Sequence, residues 1–245
     1  MIKIFSQSFR DLSIIELTEQ KRLVIACDSS AGIGSKSMDK VAVSPEVTAA
    51  FCLRVPLLEL LCFGALPISV CDLIGNEYEV TGKKMIRGIK AELARADLSD
   101  VILNGSTEEN MVNEVSSIGV TVIGTMAANV TFPHVEKNAV LFQLGEPLVG
   151  SEVVRKRSSI FSYALVRQLR RQKGVLDMVP VGSKGIGYEA ELMAEISHFS
   201  VDLAQTGQLE KSAGPATVIL IAVANQHADE VAAQFPMLKK IGIFK

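Results

Sequence analysis

Acids, glycines and a lysine follow short apolar runs at three places in this chain. The first run, Leu23-Val24-Ile25-Ala26-Cys27, is closed by Asp28 and followed by Gly32-Ile33-Gly34-Ser35-Lys36. The second, Ile68 to Cys71, is closed by Asp72, and the third, Val101-Ile102-Leu103, runs into Asn104-Gly105-Ser106-Thr107-Glu108-Glu109. Carboxylates are hard oxygen ligands, and magnesium takes one or two of them while keeping waters and phosphate oxygens. Backbone N–H groups of a glycine loop, with an ammonium nearby, suit phosphate. Two strands ending in acids, with a buried helix between them carrying Glu59, would bring three carboxylates to one point beside the glycine loop. Such a site suits a magnesium nucleotide, because phosphoryl transfer is mostly positioning and charge neutralisation. A second glycine cluster, Gly182-Ser183-Lys184-Gly185-Ile186-Gly187, lies between a predicted strand and a predicted helix. It either binds an anion at the helix start with Lys184 or only makes a tight turn.

The elements that would position these residues are readable from pattern. Ser44-Pro45-Glu46 predicts a helix start, with Ser44 as N-cap and Pro45 at the first helical position. Gly64-Ala65-Leu66-Pro67 stops that helix. The segment Val47 to Leu66 is apolar on nearly all sides, which predicts an obligate dimer built on it. Met85, Ile86, Ile89, Leu93 and Ala94 recur at helical spacing after Thr81, the expected cap. Val115 to Ala128 alternates as a strand, and residues 1–22 supply an edge strand and a turn. Beyond a polar turn at Lys137-Asn138 come a strand from Val140 to Leu144, a helix from Ser159 to Leu169 and a strand from Val175 to Val181. A helix from Tyr188 to Glu195, a strand from Thr217 to Ala224 and a short helix from His227 to Phe235 follow. The expected organisation is α+β in two layered halves, 1–138 and 139–245.

Composition narrows the function classes. A net charge of -2 and a pI near 6.0 give no reason to expect nucleic-acid or anionic-membrane binding. Val55 to Cys71 is the most apolar stretch, but Pro56, Glu59 and Pro67 interrupt it, so no membrane span is expected. Met1-Ile2-Lys3-Ile4 leads into polar residues, which predicts no secretory leader. Cys27, Cys52, Cys62 and Cys71 lack metal spacing and read as small core residues of a reduced, cytoplasmic protein. The patterns GxxxxGK[ST], HRD, DFG and GxSxG are all absent.

The order of the pieces resembles the aminoimidazole-ribonucleotide synthetase (PurM-like) superfamily over nearly the whole chain. Gly32-Ile33-Gly34-Ser35-Lys36 resembles its GVGTK loop, and Gly64-Ala65-Leu66-Pro67 its GAEP. Glu59 falls where the family has the aspartate of an Asn-Asp pair, and Asp72 on its next strand-end aspartate. Asn104 to Glu109 resembles GGETAE, with Thr107 and Glu109 matching. Val181 to Ile186 takes the place of the C-terminal glycine-rich turn, and Gly214-Pro215-Ala216-Thr217 resembles the start of a late strand. Several positions depart from the pattern. Ala31 replaces the acid before the glycine loop, with Asp28 as the nearest substitute. Leu58 replaces the Asn, and Ser183-Lys184-Gly185 replaces a Gly triplet. These departures and the absence of a long N-terminal lid argue against the ring-closing synthetase.

Among divergent members, the motif set and length resemble the α-ribazole kinases of cobalamin lower-ligand salvage. The resemblance implies an N-terminal domain that dimerises into a β-barrel flanked by helices, and a C-terminal α/β domain. It implies ATP and Mg2+ as cofactors, a small nucleoside as substrate and a homodimer as the working form. Asp28, Glu59, Asp72 and Glu109 would share the metal, and Gly32, Gly34, Lys36 and Thr107 would hold the nucleotide. Ser183, Lys184 and Gly185 would face the acceptor, with Asp28 and Lys184 as the catalytic groups. The alternatives are a thiamine-monophosphate-kinase-like enzyme and a non-catalytic nucleotide-binding relative.

Overall fold

The computed structural model describes residues 5–204 and 208–245; Met1 to Ile4, on which the leader expectation falls, lie outside the described residues. The chain divides into two compact units between Val130 and Thr131, ahead of the polar turn at Lys137-Asn138.

The first unit opens with strands β1 (Phe5–Phe9), β2 (Leu12–Thr18) and β3 (Lys21–Ala31). The glycine loop contributes two short strands, β4 (Ile33–Gly34) and β5 (Val41–Ala42), before helix α1 (Pro45–Phe63). Then come β6 (Leu66–Ile74), α2 (Lys83–Arg95), β7 (Ile102–Thr107) and β8 (Ser117–Ala127). Six strands form one sheet in the order β1-β2-β3-β8-β6-β7. Within this sheet β6 and β7 pair parallel, because α2 is a crossover long enough to return the chain in the same direction, and the other pairings are antiparallel. The sheet is open at both edges, and the described residues close no barrel.

Helix α1 starts and stops where Pro45 and Gly64 require, Gly64 taking φ 95° as the left-handed cap. Ser44 makes no side-chain cap bond. The helix lies on the sheet: Cys52 Sγ sits 3.7 Å from the Asp28 carbonyl oxygen and 3.6 Å from that of Ile118. Helix α2 packs beside it, close enough that a Cβ on Gly88 would stand 2.2 Å from the Glu46 carbonyl oxygen. Leu53, Leu57, Leu58 and Leu60 are thereby fully buried inside one chain. The all-round apolar character of this helix therefore has an intrachain cause, and the dimer argument drawn from it does not stand.

Alternation in β8 puts Ile118, Val120, Val122 and Met126 under the helices and Thr121, Ile123 and Thr125 on the opposite face. That opposite face carries exposed apolar side chains. Leu66, Leu73 and Ile102 lie on it and are 62%, 63% and 68% exposed. Cys27 also lies there and is exposed, and Cys71 is half-buried, so neither is the core cysteine expected.

The second unit contains β9 (Val140–Gly145), α3 (Ser151–Arg155), α4 (Tyr163–Arg170), β10 (Val175–Pro180) and α5 (Gly185–Ile196). It continues with β11 (Val201–Leu203), β12 (Val218–Val223), α6 (Asn225–Gln234) and β13 (Lys239–Phe244). Its sheet has the order β10-β12-β9-β13-β11. Every pairing is antiparallel, so this half is α+β rather than the α/β domain expected. Strand β12 is buried along its whole length. Residues such as Leu141, Val179, Leu220 and Ile241 pack with Ile186, Ala190 and Met193 of α5 in one core.

Candidate active site

Asp28 and Asp72 do not end their strands. Strand β3 runs on to Ala31 and β6 to Ile74, because β3 pairs with β8 along its full length and β6 pairs with it from Ile118 to Thr125. Asp and Ser have low strand propensity, and the pairing overrides it. Asp28 and Asp72 both oppose Val120, from either side of β8. They therefore stand on one rung and on the helix-covered face, about 10 Å apart across two strand spacings.

Neither carboxylate makes an ion pair among the described residues. Asp72 is 2% exposed, and burial pushes its pKa up. Burial raises Asp28 as well, against a backbone hydrogen bond at Ser29 that lowers it. A buried acid with no cation beside it is an electrostatic cost. A divalent cation beside either carboxylate would supply the missing charge.

Asp72 opens into a cleft of about 250 Å³ at the edge of the sheet, lined by Tyr78, Ile86, Lys90, Leu103, Gly105 and Thr107, among others. Gly105 is needed there, since a Cβ would lie 2.4 Å from the Asp72 carboxyl carbon. Lys90 projects from α2 at the cleft and forms no ion pair among the described residues. Sequence reading missed this lysine, whose only signal is its place on the polar side of a helix.

The remaining predicted residues are placed differently. The Thr107 hydroxyl donates to Glu109 Oε1 at 2.7 Å, and the same oxygen accepts the Tyr78 N–H at 2.8 Å. Glu109 therefore ties down the turn before α2, while Thr107 still lines the cleft. Glu59 lies two turns beyond Cys52 on α1, about 10 Å along the axis from the level of Asp28. The four acids do not gather: among the described residues, no three His, Cys, Asp or Glu side chains are placed to hold a metal.

The glycine loop is packed closely against Ser116, just ahead of β8. Gly32 takes φ 74°, and its N–H donates to the Ser116 carbonyl at 3.0 Å. A Cβ on Gly34 would fall 2.1 Å from Ser116 Oγ. Asp39, not singled out from the sequence, fixes the loop by accepting from the Lys36 N–H, the Ser116 N–H and the Ser116 hydroxyl at 2.7–2.8 Å. Lys36 Nζ pairs with Glu77 Oε2 at 2.6 Å, and Thr81 donates to the other oxygen at 2.5 Å instead of capping α2. Burial opposes ionisation of Glu77, yet these two hydrogen bonds hold its pKa at about 2. Asn76, fully buried, bridges the Val115 carbonyl and the Ser117 N–H and so locks the same strand ends together.

In the second unit, Lys184 is the residue before α5, and its Nζ lies 4.0 Å from the centre of the Tyr188 ring. Gly185 takes φ 86°, and a Cβ there would meet the Leu209 carbonyl oxygen at 2.6 Å. The N–H groups of Gly185 and Gly187 donate to the carbonyls of Gly182 and Leu209. The turn thus spends two of its amides on the chain itself, leaving Ser183 and Lys184 exposed.

No protein-family model matches the chain, and no curated protein does. Solved structures do share its fold. The thiamine-monophosphate kinase of Stenotrophomonas maltophilia superposes with a TM-score of 0.65 at 15% identity, covering 98% of this chain and 88% of that one. The thiamine monophosphate kinase ThiL of Aquifex aeolicus, complexed with AMPPCP and TMP, gives 0.63 at 14%, covering 96% and 84%. Phosphoribosylformylglycinamidine synthase II of Thermotoga maritima gives 0.60 at 11%. The fold is the one these PurM-like proteins share. The match to the synthase covers 96% of this chain but 37% of that one, so the chain spans little more than a third of its length.

Proposed function

We propose that this chain is an ATP- and magnesium-dependent kinase of a small molecule. The observation that carries the reading is half-buried Asp28 and buried Asp72 on one rung of the sheet, neither ion-paired among the described residues. The shared fold with the two thiamine-monophosphate kinases supports it. Asp28 and Asp72 would hold the magnesium, which when bound neutralises phosphate charge. Lys90 would meet phosphate oxygens at the cleft as a point charge. Tyr78, held by Glu109 and 42% exposed, offers a ring face for a base. The Lys36–Glu77 pair keeps the turn before α2 in place and so sets the position of Lys90. Thr107 lines the nucleotide cleft, while Glu59 lies away from it. Lys184, with Ser183 and Gly185, remains the group we assign to the acceptor.

For the acceptor we put α-ribazole first, on the motif resemblance, which makes the protein a salvage enzyme acting on a nucleoside hydroxyl. Thiamine monophosphate is the second acceptor, on the fold shared with its kinases. We assign the exposed apolar face of the first sheet, with Leu66, Leu73 and Ile102, to a homodimer contact. A coupled assay of ADP release tests the activity: magnesium-dependent turnover with one of the two acceptors is expected. ATP binding without turnover on either acceptor, or on a panel of nucleosides and vitamin precursors, would favour a non-catalytic relative. The absence of a third metal ligand among the described residues is what keeps that second reading in play.

A further inference from the structure

The second unit holds a cavity of about 360 Å³ that the phosphotransfer reading leaves unused. It lies where β9 ends and β12 and β13 begin. Leu144, Leu148, Ile160, Phe161, Leu165 and Met237 form its walls. Gly145 stands at its edge: at φ 87°, a Cβ would lie 2.2 Å from the Thr217 carbonyl oxygen and 3.1 Å from the Phe161 ring, so the strand end closes on both only with glycine there. The polar atoms of the floor are already matched. The Thr217 hydroxyl donates to the Glu146 carbonyl at 2.8 Å and accepts the Leu148 N–H at 3.0 Å. The Ser159 hydroxyl donates to the Lys156 carbonyl at 2.8 Å.

The charges at the mouth are unequal. Lys156 pairs with Glu146 at 2.7 Å and Lys211 with Glu152 at 2.9 Å. Lys239 lines the cavity and has no carboxylate partner among the described residues. Glu146 feels it nonetheless: the hydrogen bond from Lys156 is the main cause that depresses its pKa, and Lys239 and Lys211 add to it. A largely apolar cavity of this size, with Lys239 in excess of the carboxylates at its rim, has the make-up of a small-ligand pocket, in which apolar walls give affinity and a charge fixes orientation.

We infer that this cavity is a second binding site, for a small organic anion with a flat apolar body, held by Phe161 and Met237 on its faces and by Lys239 at its carboxylate or phosphate. The site is independent of the acid pair in the first unit, so its test needs neither ATP nor magnesium.

The full chain is titrated with 2-naphthyl phosphate, with neutral 2-naphthol and with inorganic phosphate. Binding is read by calorimetry and by the methyl resonance of Met237, assigned with Met237→Leu. Saturable one-to-one binding of 2-naphthyl phosphate is expected, with a shift at Met237, and both other probes should bind at least about tenfold more weakly. A lost charge-assisted hydrogen bond is worth a factor of about ten or more. Lys239→Met should therefore weaken 2-naphthyl phosphate by that factor and leave 2-naphthol unchanged, while Lys90→Met should alter neither. Leu165→Trp, which fills the cavity, should abolish the Met237 shift. Lys239 is exposed, so its replacement leaves the fold unaffected and the comparison valid even where Leu165→Trp does not fold. No saturable shift at Met237, or equal affinity of wild type and Lys239→Met for 2-naphthyl phosphate, would overturn the inference.

Discussion

Asp72 is buried to 2% exposure beside Gly105 and Val120 with no cation paired to it among the described residues, and its raised pKa has burial as the cause. The sign of its effect on stability follows. A carboxyl whose folded pKa is raised favours the folded state while protonated, below about pH 4, its ordinary range. That contribution is lost as pH rises through the folded pKa. Asp72→Asn should therefore raise the thermal midpoint of the ligand-free protein at pH 7, and the gain should vanish below about pH 4. The same change should remove most magnesium-dependent activity. Calorimetric scans at the two pH values check the first part; an unchanged midpoint at pH 7 would make Asp72 an ordinary loop-like acid. Glu77 behaves in the opposite sense. With a pKa of about 2, it contributes stability present above its ordinary range and lost as pH falls toward 2. Glu77→Gln should flatten the acid limb of the stability profile between roughly pH 4.5 and 2. Lys184→Ala should lower kcat by roughly two to three orders of magnitude if the ammonium meets charge that develops in transfer. KM for ATP should change much less. A kcat within about threefold of wild type would leave Lys184 as a surface cation resting on Tyr188.

At the scale of elements, α1 and α2 form the lid over the acid rung, and Gly88 sets how near they come. A Cβ at that position meets the backbone of Glu46, which cannot move without shifting the start of α1. Gly88→Ala should lower unfolding stability by about 1–3 kcal/mol, the usual cost of overpacking. Urea unfolding measures it, and a loss below 0.5 kcal/mol, about the size of an ordinary surface change, would contradict the close packing. Helices α1 and α2 were legible in the sequence, because Pro45, Gly64 and the spacing of Met85, Ile89 and Leu93 act locally, whereas α3 was not expected and α4 begins at Tyr163 instead of Ser159. The strand ends were not. Ser29, Ser30 and Asp72 read as loop by propensity, and what keeps them extended is the partner strand β8, distant in sequence. Hence the two acids were found but were placed at strand ends instead of beneath the helices. The packing of the glycine loop was hidden for a related reason: Gly32 and Gly34 answer to Ser116 and Asp39, partners that no local pattern reveals. Lys90 went unnoticed because a single lysine on an amphipathic helix looks like any solvated one.

At the scale of the whole molecule, the exposed apolar face of the first sheet is the feature a single chain leaves unexplained. Ile25, Ile123 and Ile102 share one rung of it, and Leu66 and Leu73 extend it. Exposed apolar area of this kind marks a contact surface. Light scattering should give a dimer at micromolar concentration, and Leu73→Glu combined with Ile102→Lys should give a folded monomer. A monomeric wild type would remove the dimer from the proposal without touching the acid pair. The central claim is that Asp28 and Asp72 together hold magnesium for ATP, and titration calorimetry with a non-hydrolysable ATP analogue addresses it most directly. With wild type, magnesium should strengthen analogue binding by at least about tenfold, the factor that corresponds to 1.4 kcal/mol. In Asp28→Asn and in Asp72→Asn that magnesium dependence should disappear while the metal-free affinity stays the same or rises. Equal magnesium dependence in wild type and both variants would contradict the account.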